Sequence, residues 1–320
     1  MIPTSQVDRF VDVASSILGA SRVLTDHATC IAHSYDAYLF ESTPRVVVFP
    51  QTTNDVRALV EAANSTGLPY VARGAGTGYA GGALAVSNGV VISLQDMNRI
   101  LEFNDEEGWV LAQPGVITGT LADEVRTRGW RYPPDPSSFR VSTIGGNIAT
   151  NAGGPHCLGY GVTSNYVLEI EVVTPEGGVV RLGGQTSLQD GLDLRGLYIG
   201  SEGTFGIVTS ARLRLIRQPP CVHTYIATFP NIEAAISAME SIFRQAIPPI
   251  ALELIWSALI PTVNGCEARG ETFMFIELEG PPGDVQSELA GIAACVSEHM
   301  GRGLAKLESD SHGNSAACNH

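Results

Sequence analysis

The chain has 320 residues, 44% of them hydrophobic and 16% charged, a balance that suits a globular protein of about two domains rather than a disordered one. Its 19 Lys and Arg against 33 Asp and Glu leave a net charge of −14, which argues against nucleic acid or an anionic membrane as a general partner. Cysteines at 30, 157, 221, 266, 295 and 318 are too scattered for an iron–sulfur cluster, a zinc ribbon or a disulfide scaffold. No stretch approaches the roughly 18 apolar residues that span a bilayer. The first ten residues hold Asp8 and Arg9 and no long apolar run, so no secretory signal is expected and the cytosol is the default compartment.

The first segment, residues 1–40, reads as helical. Val7, Phe10, Val11, Ala14, Ile17 and Leu18 share a face, and Ser5-x-x-Asp8 has the form of a capping box. After Pro44, Arg45–Phe49 suits a buried strand. Thr53-Asn-Asp55 opens an amphipathic helix that ends near Gly67. Strands are predicted at 68–72 and 89–94, completing a β-α-β-loop-β unit. From Trp109 to about Arg217 the texture turns to short strands, at 109–112, 167–173, 179–182 and 207–215, with a hairpin turn at Thr174–Gly178. Gln218-Pro-Pro220 marks a boundary, because two prolines cannot continue a strand ladder. Beyond it, strand 225–229, helix 232–246, strand 272–278 and helix 284–300 give a smaller β-α-β-α unit. The tail 309–320 is polar, with no core pattern. The expected fold is α+β: a domain at 41–218 made of two α/β subdomains, then a partial α/β domain at 219–308.

Between the strands at 68–72 and 89–94 lies Arg73-Gly-Ala-Gly-Thr-Gly-Tyr-Ala-Gly-Gly82, with five glycines in ten residues. Such a run lets successive N–H groups converge on an anion. Gly76-x-Gly78-x-x-Gly81 matches the dinucleotide motif, but a Rossmann turn must open a helix. Here a β-branched run follows, so the loop reads as a phosphate cradle set between strands. Three further stretches add to it. Tyr132-Pro-Pro-Asp-Pro-Ser-Ser138 is a rigid turn that projects Asp135 and two hydroxyls. Thr143–Pro155 has glycine pairs at both ends and two asparagines between, which suits either approach to a flat heterocycle or a structural turn and helix. Gly200-Ser-Glu-Gly-Thr-Phe-Gly206 sets a glutamate among glycines, either as a capped turn or as an acceptor for a ligand hydroxyl.

RGAGTGYAGG, YPPDPSS, TIGGNIATNAGGPHCLGYGV and YIGSEGTFGIVT, in this order across about 140 residues, resemble the flavoprotein subunit of glycolate oxidase and its D-lactate dehydrogenase relatives, within the vanillyl-alcohol-oxidase superfamily of FAD enzymes. The similarity spans roughly residues 35–220 strongly and 221–300 weakly. It implies that the backbone of Gly74, Ala75, Gly76, Thr77 and Gly78, with Gly81 and Gly82, holds the FAD diphosphate, with Arg73 beside it as a cofactor-binding candidate. It places Pro134, Asp135, Ser138, Thr143, Gly145, Gly146 and Asn147 along the flavin and its ribityl chain, with Ala149, Asn151, Gly153 and Gly154 continuing that wall. Glu202, Gly203, Ile207 and Val208 are implied on the adenosine side. Relatives that tether flavin covalently often carry a histidine in the first loop, where Ala75 and Thr77 stand here, so non-covalent FAD is expected. Arg73 pairs either with a phosphate or with an acid of the chain. His156 is read either as a packed side chain or as one facing flavin or substrate, Cys157 as a small buried hydrophobe, and His299 as an exposed residue of the last helix.

The resemblance implies an FAD-dependent oxidoreductase that takes a hydride from a small D-2-hydroxy acid of the glycolate or D-lactate type and passes electrons to an iron–sulfur subunit, in the cytoplasm or at a membrane through that partner. The family pattern continues with a Gly-Asp-Gly-Asn-x-His motif and histidine-rich residues. Ser311-His-Gly-Asn314 lacks the Asp-Gly before it and the later histidine, so a truncated or frameshifted end is expected and no catalytic base is identified. The alternative is a binding module: an FAD-binding subunit or remnant without turnover. An NAD-dependent Rossmann dehydrogenase is opposed by the strand at 89–94, and a flavin enzyme reducing a nucleotide sugar by the PPDPSS and NAGGPH runs.

Overall fold

The computed structural model describes residues 3–38, 40–184, 192–256 and 271–307. The chain divides into two compact units, one of residues 1–154 and 162–217, the other of residues 155–161 and 218–320. The Ser311–Asn314 stretch and the tail 309–320 lie outside the described residues.

The first unit opens with α1 (Thr4–Leu18), which buries Val7, Phe10, Ala14 and Leu18 at helical spacing. The capping box expected from Ser5 and Asp8 does not form. The helix starts two residues earlier than that box requires, at Thr4 behind Pro3 and without a side-chain cap, so Ser5 already lies inside the first turn. After β1 (Val23–Leu24), α2 (His27–Ala32) and β2 (Val46–Val48) comes α3 (Thr53–Thr66). Its reciprocal box is formed by Thr52 and Asp55, and left-handed Gly67 (φ 70°) ends it. Strands β3 (Tyr70–Arg73) and β4 (Val90–Ser93) complete a sheet in the order β1-β2-β4-β3, in which β2, β4 and β3 run parallel. Phe10 and Ala14 of α1 and Leu59, Val60 and Ala63 of α3 pack on Val46, Val48, Val90 and Ile92. Parallel neighbours require a long connection. Here residues 74–89 supply it for β3 and β4 with only a single 3-10 turn at Val86–Asn88.

The rest of this unit is β5 (Ile100–Asn104), β6 (Trp109–Ala112), α4 (Thr118–Arg126), β7 (Trp130–Arg131), α5 (Ile144–Thr150), α6 (Cys157–Tyr160, which belongs to the other unit), β8 (Val167–Val173), β9 (Val179–Gly183), α7 (Arg195–Tyr198), β10 (Ile207–Arg214) and β11 (Ile216–Arg217). Among the described residues, five of these strands form an antiparallel sheet in the order β5-β6-β10-β8-β9. The β8–β9 hairpin turns through Gly177 at φ 87°. Sequence reading did not anticipate β5 or α4, and it held α5 only as the alternative to a heterocycle-facing stretch. Two glycines in Ile144-Gly-Gly-Asn-Ile-Ala-Thr150 cost about 1 kcal/mol each in helix propensity, and tertiary packing overrides them.

The second unit contains β12 (Val222–Phe229), α8 (Ile232–Arg244), β13 (Ala251–Trp256), β14 (Thr272–Glu279), α9 (Pro282–Glu298) and β15 (Arg302–Lys306). The sheet order is β13-β14-β12-β15 with antiparallel neighbours, a split β-α-β-β-α-β arrangement rather than the β-α-β-α read from sequence. Tyr225, Ala227 and Phe229 with Met274, Ile276 and Leu278 bury one face against Ala235, Ile242, Ile292 and Cys295 of the two helices.

Candidate functional site

The carboxyl ends of parallel strands are where ligands of open α/β sheets bind, because loops there leave their backbone groups free. At that end of β3 the first unit holds a cleft of about 640 Å³, a size typical of ligand pockets. Four stretches far apart in sequence meet around it: residues 72–83, 136–138, 143–153 and 198–208. Of the residues singled out above, Arg73, Gly74, Ala75, Gly76, Thr77, Gly78, Gly82, Ser138, Thr143, Gly145, Gly146, Asn147, Ala149, Asn151, Gly153, Glu202, Gly203, Ile207 and Val208 line it. Gly81, Pro134, Asp135 and Gly154 do not. Pro134 is buried, and the Gly81 N–H is occupied by Asp36 at 2.9 Å. Gly154 lies against Asp135, so that a Cβ there would meet the Asp135 carbonyl oxygen at 2.2 Å. These two support the lining from behind. Asp36, Tyr79, Pro114, Ser137, Tyr198 and Ser201 also line the cleft and were missed. Ser201 and Tyr198 fall inside the fourth motif, whereas Asp36 and Pro114 carry no local sequence signal.

The glycines serve different ends. At Gly74 a Cβ would lie 2.4 Å from Thr143 Oγ1, and at Gly145 2.6 Å from Pro114 Cβ, so these positions permit close packing of the walls. Gly76, at φ 71°, closes over Arg73, whose Nη2 would sit 2.2 Å from an added Cβ. Gly78 has neither a positive φ nor any atom within 4 Å of a Cβ, yet it lines the cleft. Packing does not require glycine there. Among the described residues none accepts a hydrogen bond from the backbone N–H of Ala75, Gly76, Thr77 or Gly78. Amides without partners beside a cleft are an anion-binding feature.

Arg73 adds a charge to this. It is 5% exposed, and among the described residues its Nε has no partner and its Nη1 reaches only the Ala83 carbonyl at 3.4 Å. Burial pushes the guanidinium down from its ordinary value, and nearby Asp36 and Tyr35 oppose that. A buried cation without a close counter-ion is costly unless an anion joins it. His33 lies close enough to Arg73 to feel its charge. Burial lowers its pKa first, the bond of Nδ1 to the Thr29 carbonyl opposes that, and Arg73 lowers it further, while Nε2 has no partner.

The α5 wall is held by its own polar groups. Thr143 caps the helix, its Oγ1 accepting from the Gly146 N–H at 3.2 Å. Asn147, 2% exposed, donates through Nδ2 to Thr118 Oγ1 at 2.7 Å. Left-handed Asn151 accepts through Oδ1 from the Ser164 N–H at 2.9 Å. The two asparagines, read from sequence as partners for a heterocycle edge, therefore spend these groups on the protein. Glu202, at φ 53°, donates its N–H to the Ala149 carbonyl at 2.8 Å, and its carboxylate lies beside Gly82.

In the second unit His156 has a carboxylate partner. Its Nε2 lies 2.7 Å from Glu277 Oε1, while Thr224 donates to Glu277 Oε2 at 2.9 Å. Cys157 is half-buried rather than fully buried, as is His299 at the end of α9. Among the described residues Cys30, Cys157, Cys221 and Cys295 form no disulfide. Among the described residues no helix is long and apolar enough to cross a membrane.

Residues 44–183 match the family described as FAD binding domain, and residues 218–315 match FAD linked oxidases, C-terminal domain. The chain joins an FAD binding domain to an FAD linked oxidase C-terminal domain. It is 36% identical over 271 residues to the glycolate oxidase subunit GlcD of Bacillus subtilis, covering 82% of this chain and 58% of that protein. It is 36% identical over 255 residues to a D-lactate dehydrogenase of Anaerostipes hadrus, covering 79% of this chain and 53% of that one. The chain thus spans little more than half the length of these relatives. A solved structure of alkyldihydroxyacetonephosphate synthase, 22% identical, shares the fold with a TM-score of 0.83 over 95% of this chain and 61% of its own. FAD is the cofactor of this family, and an anionic dinucleotide matches the cleft's partnerless amides and buried guanidinium.

Proposed function

We propose that FAD binds non-covalently in the cleft of the first unit and that the chain is the flavin-binding part of an oxidase acting on a D-2-hydroxy acid of the glycolate or D-lactate type. The observation that carries this is the meeting of three glycine-rich stretches and one proline-rich turn around Arg73 and the amides of residues 75–78, which have no partner among the described residues. The diphosphate is assigned to those amides, with Arg73 supplying counter-charge. Ser138, Thr143, Gly145, Gly146, Asn147, Ala149, Asn151 and Gly153 are assigned to the flavin wall, and Glu202, Gly203, Ile207 and Val208 to the adenosine side. Gly81, Pro134, Asp135 and Gly154 act from behind this lining. Among the described residues that line the cleft, Ala75 and Thr77 stand in the first loop and no histidine or cysteine does, in keeping with the reading of a dissociable flavin.

Bound FAD supplies the two-electron acceptor for a hydride leaving the substrate's Cα. The protein's part is to exclude water and fix the dinucleotide. Residues 41–218 form the FAD-binding domain in this reading, and residues 219–308 part of the substrate domain. The names of the relatives support the substrate class. An iron–sulfur subunit is proposed as electron acceptor and the cytoplasm, a reducing compartment, as the location.

The test is anaerobic. The purified chain is loaded with FAD and mixed with glycolate or D-lactate. Bleaching of the yellow colour is expected. A folded chain that stays colourless in excess FAD refutes the cofactor assignment. A yellow chain that no D-2-hydroxy acid bleaches refutes the oxidase assignment and leaves an FAD-binding module.

A further inference from the structure

Asp36 is 7% exposed and lines the cleft, yet it makes no ion pair within 4 Å of Arg73 among the described residues. Its carboxylate is used otherwise. Oδ2 accepts from the Gly81 N–H at 2.9 Å, and Oδ1 accepts from the Tyr38 N–H at 2.8 Å. Two more bonds join the same stretch to the loop: the Ala37 N–H donates to the Gly78 carbonyl at 3.1 Å, and the Ser42 hydroxyl donates to the Ala85 carbonyl at 2.5 Å. The loop is thus tied at both ends of Gly78–Gly81, while the amides just before it remain without partners.

We propose that Asp36 is the positioning residue of the cofactor loop: its carboxylate anchors the Gly81 amide and holds the preceding amides in place for the diphosphate of the dinucleotide. The inference rests on the FAD reading. A loop with five glycines loses much backbone entropy when it orders. A buried carboxylate acceptor secures part of that ordering before the ligand arrives, which raises affinity by preorganisation. The negative charge itself is not what recognises the ligand. It lies near the proposed anion site and there opposes binding, so the acceptor geometry is the useful part.

The experiment compares wild type, Asp36→Ala, Asp36→Asn and the distant helix-cap control Thr52→Ala, measuring the FAD dissociation constant by flavin fluorescence and the melting temperature without FAD. Asn drops the charge and keeps one oxygen acceptor, for the Gly81 N–H, while its amide nitrogen replaces the acceptor of the Tyr38 N–H. Asp36→Ala is expected to weaken FAD binding roughly 10- to 100-fold, the worth of one or two hydrogen bonds to a charged acceptor. Asp36→Asn is expected to fall between wild type and Asp36→Ala, and Thr52→Ala to melt lower with FAD affinity unchanged. A purely structural role for Asp36 would lower the melting temperature alone. Wild-type affinity in Asp36→Ala overturns the proposal, and so does an equal loss in Asp36→Asn. A folded wild type that never takes FAD overturns the cofactor reading and this inference with it, whereas the two preceding results leave that reading intact. If Asp36→Ala does not fold, amide hydrogen exchange on wild type decides. Protection of Gly81 without FAD, with Ala75–Gly78 protected only after FAD is added, supports the anchor; rapid exchange at Gly81 overturns it.

Discussion

Gly78 and Gly145 offer a paired test, because an added methyl group meets opposite surroundings at the two. In Gly145→Ala the Cβ would lie 2.6 Å from Pro114 Cβ and 3.1 Å from the Pro114 carbonyl oxygen, neither of which can rotate away. Overpacking of this kind costs about 1–3 kcal/mol. Replacing a helical glycine by alanine returns about 1 kcal/mol, since Gly145 lies in α5. The net loss is then about 0–2 kcal/mol, a fall of up to roughly 8 °C in the melting temperature of a unit this size. In Gly78→Ala nothing lies within 4 Å and the backbone is not left-handed, so the apo protein should be unchanged or gain about 0.4–1 kcal/mol from the stiffer unfolded chain. The same methyl intrudes on the proposed dinucleotide, and a clash of about 1–3 kcal/mol weakens FAD binding roughly 5- to 150-fold. Melting without FAD and fluorescence titration with FAD separate the two quantities. Gly78→Ala that binds FAD as wild type does would show that the free space beside Gly78 is not the ligand's, and the assignment of the cleft would fall with it.

Further outcomes follow from groups outside the loop. Burial alone raises the Glu171 carboxyl, but hydrogen bonds from Thr53, Arg181 and Thr209 outweigh it and hold the carboxyl below its ordinary value of 4.5. The stability it contributes is therefore full above about pH 4.5 and lost as pH falls through the lower folded value, and melting temperature against pH for Glu171→Gln should be flatter in that window than for wild type. Thr52→Ala removes the reciprocal cap of α3 and should cost about 1 kcal/mol in urea unfolding, with an undiminished midpoint counting against the cap as drawn. Asn147→Ala leaves the buried Thr118 hydroxyl without its donor and should destabilise the unit by about 1–3 kcal/mol, read as a lower urea midpoint; a change within error would mean the α5 wall does not depend on that bond.

Local order along the chain settled the kind of site. Five glycines between two apolar β-branched runs cannot build a Rossmann helix, and the loop does bridge parallel β3 and β4 without one. The apolar spacing of α1 and α3 and the all-valine β2 were legible for the same reason: each buries one face or both, and burial writes a period into the sequence. Elements without such a period were lost. α5 carries two glycines, β13 alternates only partly buried residues, and β15 is a polar edge strand, so each is specified by its neighbours. The cleft shows the same division. The motif residues were visible in sequence because ligand approach demands small side chains in a row, but which of them face the cleft was not: Gly154 and Asp135 pack on each other, and Gly81 is held by a carboxylate 45 residues away. Asp36 and Pro114 have no motif at all, since one acceptor or one proline ring leaves no pattern in its own stretch. Composition and periodicity act over a few residues. The partner of a buried amide is chosen by where the folded chain brings it, and only the tertiary structure decides that.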